Sequence, residues 1–375
     1  MGSLAQRIPP GCPSLASMSF LRLALLPFSW LYGLVLRLRH AGYDLGWLRA
    51  KSADVPTITV GNIALGGTGK TPHVELVLRT LLDGQGSDPV PVLATLSRGY
   101  GRQGTGFAEV SMESDAASVG DEPLMLKRKF SGVHVFVGAD RAQAVAGIRE
   151  RVPQLRAVIL DDALQHRAFR SSLNIVLTTW QRPWNEDHLL PAGNLRDLPY
   201  RARQAEVVIV TKCPERPSHQ AREAWRRKLR LLPRQALFFS GLRYEAPRPL
   251  ASTGDVHQGP DTAALLLTGV ADPAPLAAHV RGLFGTVRHL AYSDHHAFSE
   301  KELEHVAAVF NSFATSRKTL ITTEKDAARL GTAALNGPLR GIPVAVIGIR
   351  SIILDQPHEF EALIRSHVAT HPAHR

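Results

Sequence analysis

Cysteine is scarce in this chain. Only Cys12 and Cys213 occur in 375 residues, and neither stands in a C-x-x-C pair. That excludes a disulfide framework, argues against a cysteine-held zinc ion and points to a reducing compartment. Aromatic residues make up 6%, and no RNA- or DNA-binding motif is found, so the sequence reads as having no nucleic-acid partner. Long apolar runs are also missing. The best, Phe20–Leu36, has 17 residues and is interrupted by Arg22 and Pro27, the lower limit for crossing a bilayer. There is no internal repeat and no long low-complexity segment.

Acidic residues are outnumbered by basic ones, 33 against 44, for a net charge of +11. The excess is local: residues 1–50 hold five Arg and one Asp, and residues 196–234 hold eleven Lys/Arg and four Asp/Glu. Such patches either concentrate anionic partners or are solvated helix faces. Apolar residues at 44% and charged residues at 21% describe an ordinary globular chain, long enough for two domains.

Residues 1–17 are rich in Pro and Ser and read as disordered. The apolar stretch after them is followed by Arg37, Arg39 and His40, the basic flank expected on the cytoplasmic side of a membrane. Trp30 and Tyr32 sit mid-segment, as in a helix lying in the headgroup layer. A secretory signal is the competitor, but no small-x-small cleavage site precedes the basic flank. The expectation is an N-terminal membrane-associated helix within residues 1–45.

Residues 56–72 read PTITVGNIALGGTGKTP. A β-branched run, Thr57–Val60, leads through glycines into a helical stretch, Pro72–Leu82, the context of a P-loop. Gly66, Gly67 and Gly69, with Thr68 among them, allow backbone N–H groups to turn toward a phosphate at a helix N-terminus. Lys70 suits the β- and γ-phosphates of ATP, and the Thr71 hydroxyl suits Mg2+. Ala64 stands where G-x-x-x-x-G-K-[ST] has its first glycine. Further on, AVILDD (157–162) ends an apolar run with Asp161 and Asp162, adjacent carboxylates that repel unless a cation shares them. They are the candidate metal side of the site. GDEP (120–123) offers Asp121 and Glu122, either as working carboxylates or as a plain helix start with Pro123 in its first turn. Arg98 in SRGYGR could neutralise phosphate charge.

The stretches VGNIALGGTGKTP, SRGYGR, GDEP, DDALQHR, LLPAGNLRDL, VVIVTK, DHHAF and TTEKDAARL occur in this order between residues 60 and 330. Together they resemble the tetraacyldisaccharide 4'-kinases, the lipid A 4'-kinases of the inner membrane. The resemblance implies phosphorylation of the 4'-hydroxyl of a tetraacyl glucosamine disaccharide 1-phosphate, with ATP and Mg2+, at the cytoplasmic membrane face. It also implies Asp121 as catalytic base, His295 as its partner in a carboxylate–imidazole dyad, and Glu122 near the metal. The chain departs from the family at Ala163-Leu164, where Gly-Phe is usual, and at Asp272-Pro273, where Asn-Pro is usual.

Apolar runs at 57–60, 90–96, 133–137, 157–160, 173–178 and 207–211 alternate with helical stretches or loops. A second series follows at 263–268, 286–292, 319–323 and 344–347. This predicts an α/β protein: a P-loop NTPase-like, mostly parallel sheet with helices on both faces, and a second, smaller α/β lobe. The basic helix near 221–231 and the Pro-rich segment 233–260 mark the boundary, giving a core at 46–235 and a lobe at 236–375. Two other functions compete: a membrane-peripheral ATPase or GTPase switch, and a non-catalytic anionic-lipid binder. Thr211-Lys212-Cys213-Pro214 faintly resembles [NT]-K-x-D but lacks its Asp. DHHA also occurs in DHH-type phosphoesterases, whose other motifs are absent.

Overall fold

The computed structural model describes residues 20–83, 90–250, 256–294 and 296–372. His295, Cys12 and the expected disordered start at 1–17 lie outside them. In chain order the first elements are α1 (Phe20–Asp44), β1 (Thr57–Asn62), α2 (Lys70–Leu82), β2 (Leu93–Ser97), β3 (Ala108–Val110), α3 (Ala116–Val119) and α4 (Asp121–Lys129). Next come β4 (His134–Val137), α5 (Arg141–Arg151), β5 (Ala157–Asp161), β6 (Leu173–Thr179), β7 (Val207–Thr211), α6 (His219–Lys228) and β8 (Ala236–Tyr244). The remainder comprises β9 (Arg248–Pro249), β10 (Gly259–Thr268), α7 (Ala274–Leu283), β11 (Phe284–Ala291), α8 (Glu300–Asn311) and β12 (Lys318–Thr323). It ends with α9 (Glu324–Asn336), β13 (Val344–Ile347), β14 (Ile349–Ile353) and α10 (Pro357–Ala369).

Two compact units emerge. One holds residues up to 98, 132–242 and 351–375; the other holds 99–131 and 243–350. The division differs from the expected 46–235 and 236–375. Residues 99–131, with Asp121 and Glu122, group with the later part of the chain, and the last 25 residues return to the first unit.

In the first unit the strands lie in the order β14-β8-β7-β6-β1-β5-β2-β4. Pairing is parallel from β4 through to β8. Every residue of β1, β5 and β7 is buried, which is why these strands read as unbroken apolar runs and not as alternating ones. β1 lies between β5 and β6, so the strand order reverses there, and such switch points hold the ligand crevice at the carboxyl ends of the strands. The reading of 233–260 as a boundary is corrected in its first part. Leu237–Gly241 are buried in β8, paired with β7, and Phe239 packs with Trp225 and Val208 in one core cluster. The prolines at 233, 247 and 249 flank the strand without interrupting it.

α1 is a single 25-residue helix containing Pro27. No helix among the described residues is long and apolar enough to cross a membrane. Ser29, Leu36 and His40 are buried, and with Gly33 they fall on one face at helical spacing. A Cβ on Gly33 would stand 2.9 Å from Leu189, so α1 lies close on the first unit. The Ser29 hydroxyl donates to the Leu189 carbonyl at 2.9 Å, and Tyr32 to that of Arg196 at 2.9 Å. His40, read as part of a basic flank, instead faces inward and pairs with buried Asp197 at 2.7 Å. The opposite face exposes Phe28, Trp30, Leu31, Leu34, Val35 and Leu38.

In the second unit β10 to β13 are parallel and β9 joins antiparallel, in the order β11-β10-β12-β13-β9. Alternate residues of β10 serve two cores. Leu265 and Leu267 pack with Leu303, Val306 and Phe310, whereas Ala264 and Leu266 pack with Leu276 and Val280, as the period of two in a strand requires.

Candidate active site

The glycine-rich turn leaves the carboxyl end of β1 and enters α2. Gly66 and Gly69 have φ of 89° and 84°, a region that side-chain-bearing residues avoid. Ala64 is not among the positive-φ residues. It forms an antiparallel bridge with Leu195, and the Leu65 N–H donates to the Asn194 carbonyl at 2.7 Å. Extended backbone at position 64 needs no glycine, so the departure there carries no strain. Thr68 is pinned from two sides: Asn62 Nδ2 donates to its hydroxyl at 2.7 Å, and the Thr211 hydroxyl donates to its carbonyl at 2.9 Å.

His73, one turn into α2, is fully buried. Its Nδ1 is 2.7 Å from the Gly69 carbonyl and its Nε2 is 2.8 Å from the Ser240 hydroxyl. Burial holds its pKa down at about 4, so the ring is neutral near pH 7. A neutral ring that donates from Nδ1 to Gly69 accepts at Nε2 from Ser240.

At the end of β5 the acidic pair splits into two environments. Asp161 is buried. Asp162 adopts φ 52° and turns to the glycine loop, where Lys70 Nζ is 3.6 Å from its carboxylate. Arg196 binds both oxygens of Asp162, NH1 at 2.9 Å to Oδ2 and NH2 to Oδ1. Arg196 NH2 also donates to Asn62 Oδ1 at 2.5 Å. The left-handed residue of this turn is therefore Asp162, and Ala163, which follows it, has no positive φ. Buried Arg141 donates to the Gly138 and Ala139 carbonyls at 2.5 and 3.1 Å. Burial lowers its pKa, and Asp161 opposes that shift most. Exposed Arg98 lies within electrostatic reach of Arg141. Burial and then Arg141 lower the pKa of His166. Lys70 after β1, Arg98 after β2, Arg141 after β4 and Arg196 in the loop after β6 thus stand around the two carboxylates that end β5, a field suited to a polyphosphate.

The other candidates stand in the second unit. Gly120, with φ 95°, delivers Asp121 to the first turn of α4, where its Oδ1 accepts the Glu122 N–H at 2.9 Å. Arg329 Nε and NH2 meet Asp121 Oδ2 at 3.0 and 2.5 Å. Arg329 is itself anchored through NH1 to the Gly269 carbonyl at 2.7 Å and to Asp326 at 2.8 Å. Lys325 stands 3.4 Å from Glu122, 3.4 Å from Asp294 and 3.9 Å from Asp121. Both cations project from the first turns of α9, four residues apart on one face. His296 stacks on Tyr292 at 4.7 Å and pairs with Glu302 at 3.0 Å. His295 lies outside the described residues.

Lys70, Thr71, Asp161, Asp162 and Arg98 thus share the first unit, while Asp121 and Glu122 belong to the second. Sequence reasoning passed over Arg196, Arg141, Lys325 and Arg329. Arg196 and the Lys325/Arg329 pair lay inside quoted motifs, and the four-residue spacing in TTEKDAARL was the available signal.

Comparison with known proteins follows the same lines. The profile of the family described as tetraacyldisaccharide-1-P 4'-kinase matches residues 21–369. A tetraacyldisaccharide 4'-kinase of Bacteroides thetaiotaomicron is 37% identical over 318 residues, covering 82% of each chain. That of Flavobacterium johnsoniae is 34% identical over 355 residues, covering 94% of this chain and 98% of the relative. A crystal structure of LpxK from Aquifex aeolicus, described as an apo form in complex with ATP, superposes with a TM-score of 0.70 at 24% identity. It covers 93% of this chain and 100% of the other, which establishes the shared fold. The glycine loop, the acidic pair and the fold agree with the match along nearly the whole sequence: this chain belongs to the tetraacyldisaccharide-1-P 4'-kinase family.

Proposed function

We propose that the first unit holds ATP in a P-loop at Gly66–Thr71. From there the γ-phosphoryl passes to the 4'-hydroxyl of a tetraacyl glucosamine disaccharide 1-phosphate. The observation that carries the reading is the glycine loop at the sheet's switch point, with Lys70 and Arg196 converging on Asp162. As a member of its family the chain is a lipid sugar kinase.

In this reading the backbone N–H groups of 66–71 surround the phosphates, and Lys70 exchanges its partner Asp162 for the β/γ-phosphate oxygens. Arg98 after β2 and Arg141 after β4 add positive potential. The Thr71 hydroxyl and the carboxylates of Asp161 and Asp162 are hard oxygen donors, the chemistry Mg2+ prefers in combination with substrate phosphates. Bound there, the ion neutralises phosphate charge. Asp121 takes the proton of the acceptor hydroxyl, with Arg329 on Oδ2 and the Glu122 N–H on Oδ1 orienting its carboxylate. His295 is assigned as its imidazole partner and Glu122 as a neighbour of the metal.

The exposed apolar face of α1, with Trp30 and Leu34 at its middle, lies on the cytoplasmic face of the inner membrane. Its buried stripe ties it to the kinase unit. Co-sedimentation with anionic phospholipid vesicles tests this part. Trp30→Asp with Leu34→Asp should abolish binding and leave the fold intact; undiminished binding would refute it. The chemistry is tested with purified protein, ATP, Mg2+ and the lipid acceptor. One bis-phosphorylated lipid per ADP is expected, and chelation of Mg2+ should stop it. Release of free phosphate without lipid product would overturn the assignment and favour a switch ATPase.

A further inference from the structure

We infer that Lys212 is a second nucleotide-binding lysine, its ammonium meeting a phosphate of the nucleotide held by the glycine loop. The inference rests on the kinase reading and extends it to a residue that the loop motif does not contain.

Lys212 follows directly on the carboxyl end of β7. Its φ is 56°, a left-handed conformation that is strained for a lysine. The neighbouring backbone enforces it. The Thr211 carbonyl accepts the Trp180 N–H at 2.9 Å, and the Cys213 N–H donates to the Ser240 carbonyl at 2.9 Å. The Lys212 carbonyl accepts from Gln181 at 3.3 Å. Thr211 also fastens this strand end to Thr68 of the loop. Glycine would fit this backbone better, so the side chain at 212 has to justify a strained main chain, a pattern characteristic of functional positions.

The side chain reaches the loop. Its ammonium is 3.7 Å from the place a Cβ on Gly67 would occupy. Lys70 and Arg196 share Asp162, whereas Lys212 has no ion-pair partner among the described residues. A half-buried ammonium without a carboxylate, beside a loop whose amides are arranged for phosphate, is complementary to an anion. Pro214 stands where a base-reading carboxylate would be, so Lys212 acts on the phosphates and not on the choice of base.

Calorimetric titration of the full chain with ATP and with ADP, together with the lipid-product assay, tests this. Lys212→Gln should weaken both nucleotides about tenfold and raise the KM for ATP, leaving the KM for the lipid unchanged. Lys212→Arg should recover most of the affinity. Lys212→Gly should melt at the same or a higher temperature than the parent, because strain is relieved, yet bind ATP as poorly as Lys212→Gln. Unchanged nucleotide affinity in Lys212→Gln, or a loss of stability in Lys212→Gly parallel to its loss of affinity, would overturn the inference. Failure of the kinase reading itself would appear differently, as a parent protein that yields no phosphorylated lipid.

Discussion

The two polar clusters of this protein are built from opposite materials. In the first unit, main chain dominates: left-handed glycines, amides at the start of α2 and an aspartate at φ 52° create the site, and side chains complete it. In the second unit, side chains dominate. Asp121, Glu122 and Asp294 are gathered by Lys325 and Arg329. Main-chain sites favour polyphosphates, whose many oxygens can be met by many amides. A single carboxylate held through one oxygen by two N–H groups of an arginine and through the other by a backbone N–H instead has a fixed direction, which is what proton transfer at one hydroxyl demands.

The comparison breaks or sharpens by mutation. Lys70→Ala should reduce phosphoryl transfer by at least about 10³-fold, read as bis-phosphorylated lipid, with the melting temperature unchanged. Loss of less than tenfold would show that the loop lysine is not the principal phosphate charge. Asp121→Asn should lower turnover by about 10²- to 10⁴-fold and leave ATP affinity within about twofold of the parent. A comparable loss of ATP binding would erase the distinction between the clusters.

Arg329→Met addresses the second cluster's construction. Arg329, Asp121 and Asp326 are nearly buried, at 6%, 10% and 0% side-chain exposure. Removing the cation takes the nearest charge partner from both carboxylates, leaving Asp121 with Lys325 at 3.9 Å and Asp326 with neutral donors, and the cost should be about 3 kcal/mol, measured by urea unfolding. A change below about 0.5 kcal/mol would mean that the clamp is not part of the unit's stability.

The smallest effect concerns His73. Its pKa is about 4 in the folded protein against 6.5 for the free side chain. Between those values the unfolded chain binds a proton that the folded one refuses. Stability is therefore complete above about pH 6.5 and falls toward pH 4, by up to about 1.4 kcal/mol per pH unit. His73→Asn should flatten that slope in unfolding experiments at pH 7 and pH 5. An identical slope in both proteins would remove His73 from the account.

The difference in materials also explains what could be read from the sequence. GGTGKT was legible because left-handed backbone demands glycine, and all ten expected strands are present, mostly because buried parallel strands leave unbroken apolar runs; β11, a half-exposed edge strand, is the exception. Asp121 and Glu122 stood out as GDEP, but their unit did not, since nothing local tells that 99–131 groups with residues far along the chain. Lys325, Arg329 and Arg196 were invisible as partners, because an arginine in an ion pair and an arginine in water are the same letter. β8 was hidden by its flanking prolines. The inward stripe of α1, made of Ser29, Gly33 and His40, was masked by the louder apolar face around it.

The return of β14 and α10 to the first unit bears on synthesis. β14 lies beside β8 in the sheet, and Asp355 just beyond it binds Arg222 and accepts the Phe239 N–H at 3.0 Å. Arg365 of α10 donates to the Thr80 carbonyl at the end of α2 at 2.9 Å. The sheet of the first unit therefore has no complete edge until more than a hundred further residues have left the ribosome. A nascent chain stalled before residue 351 would expose the flank of β8 to water, to chaperones and to other chains.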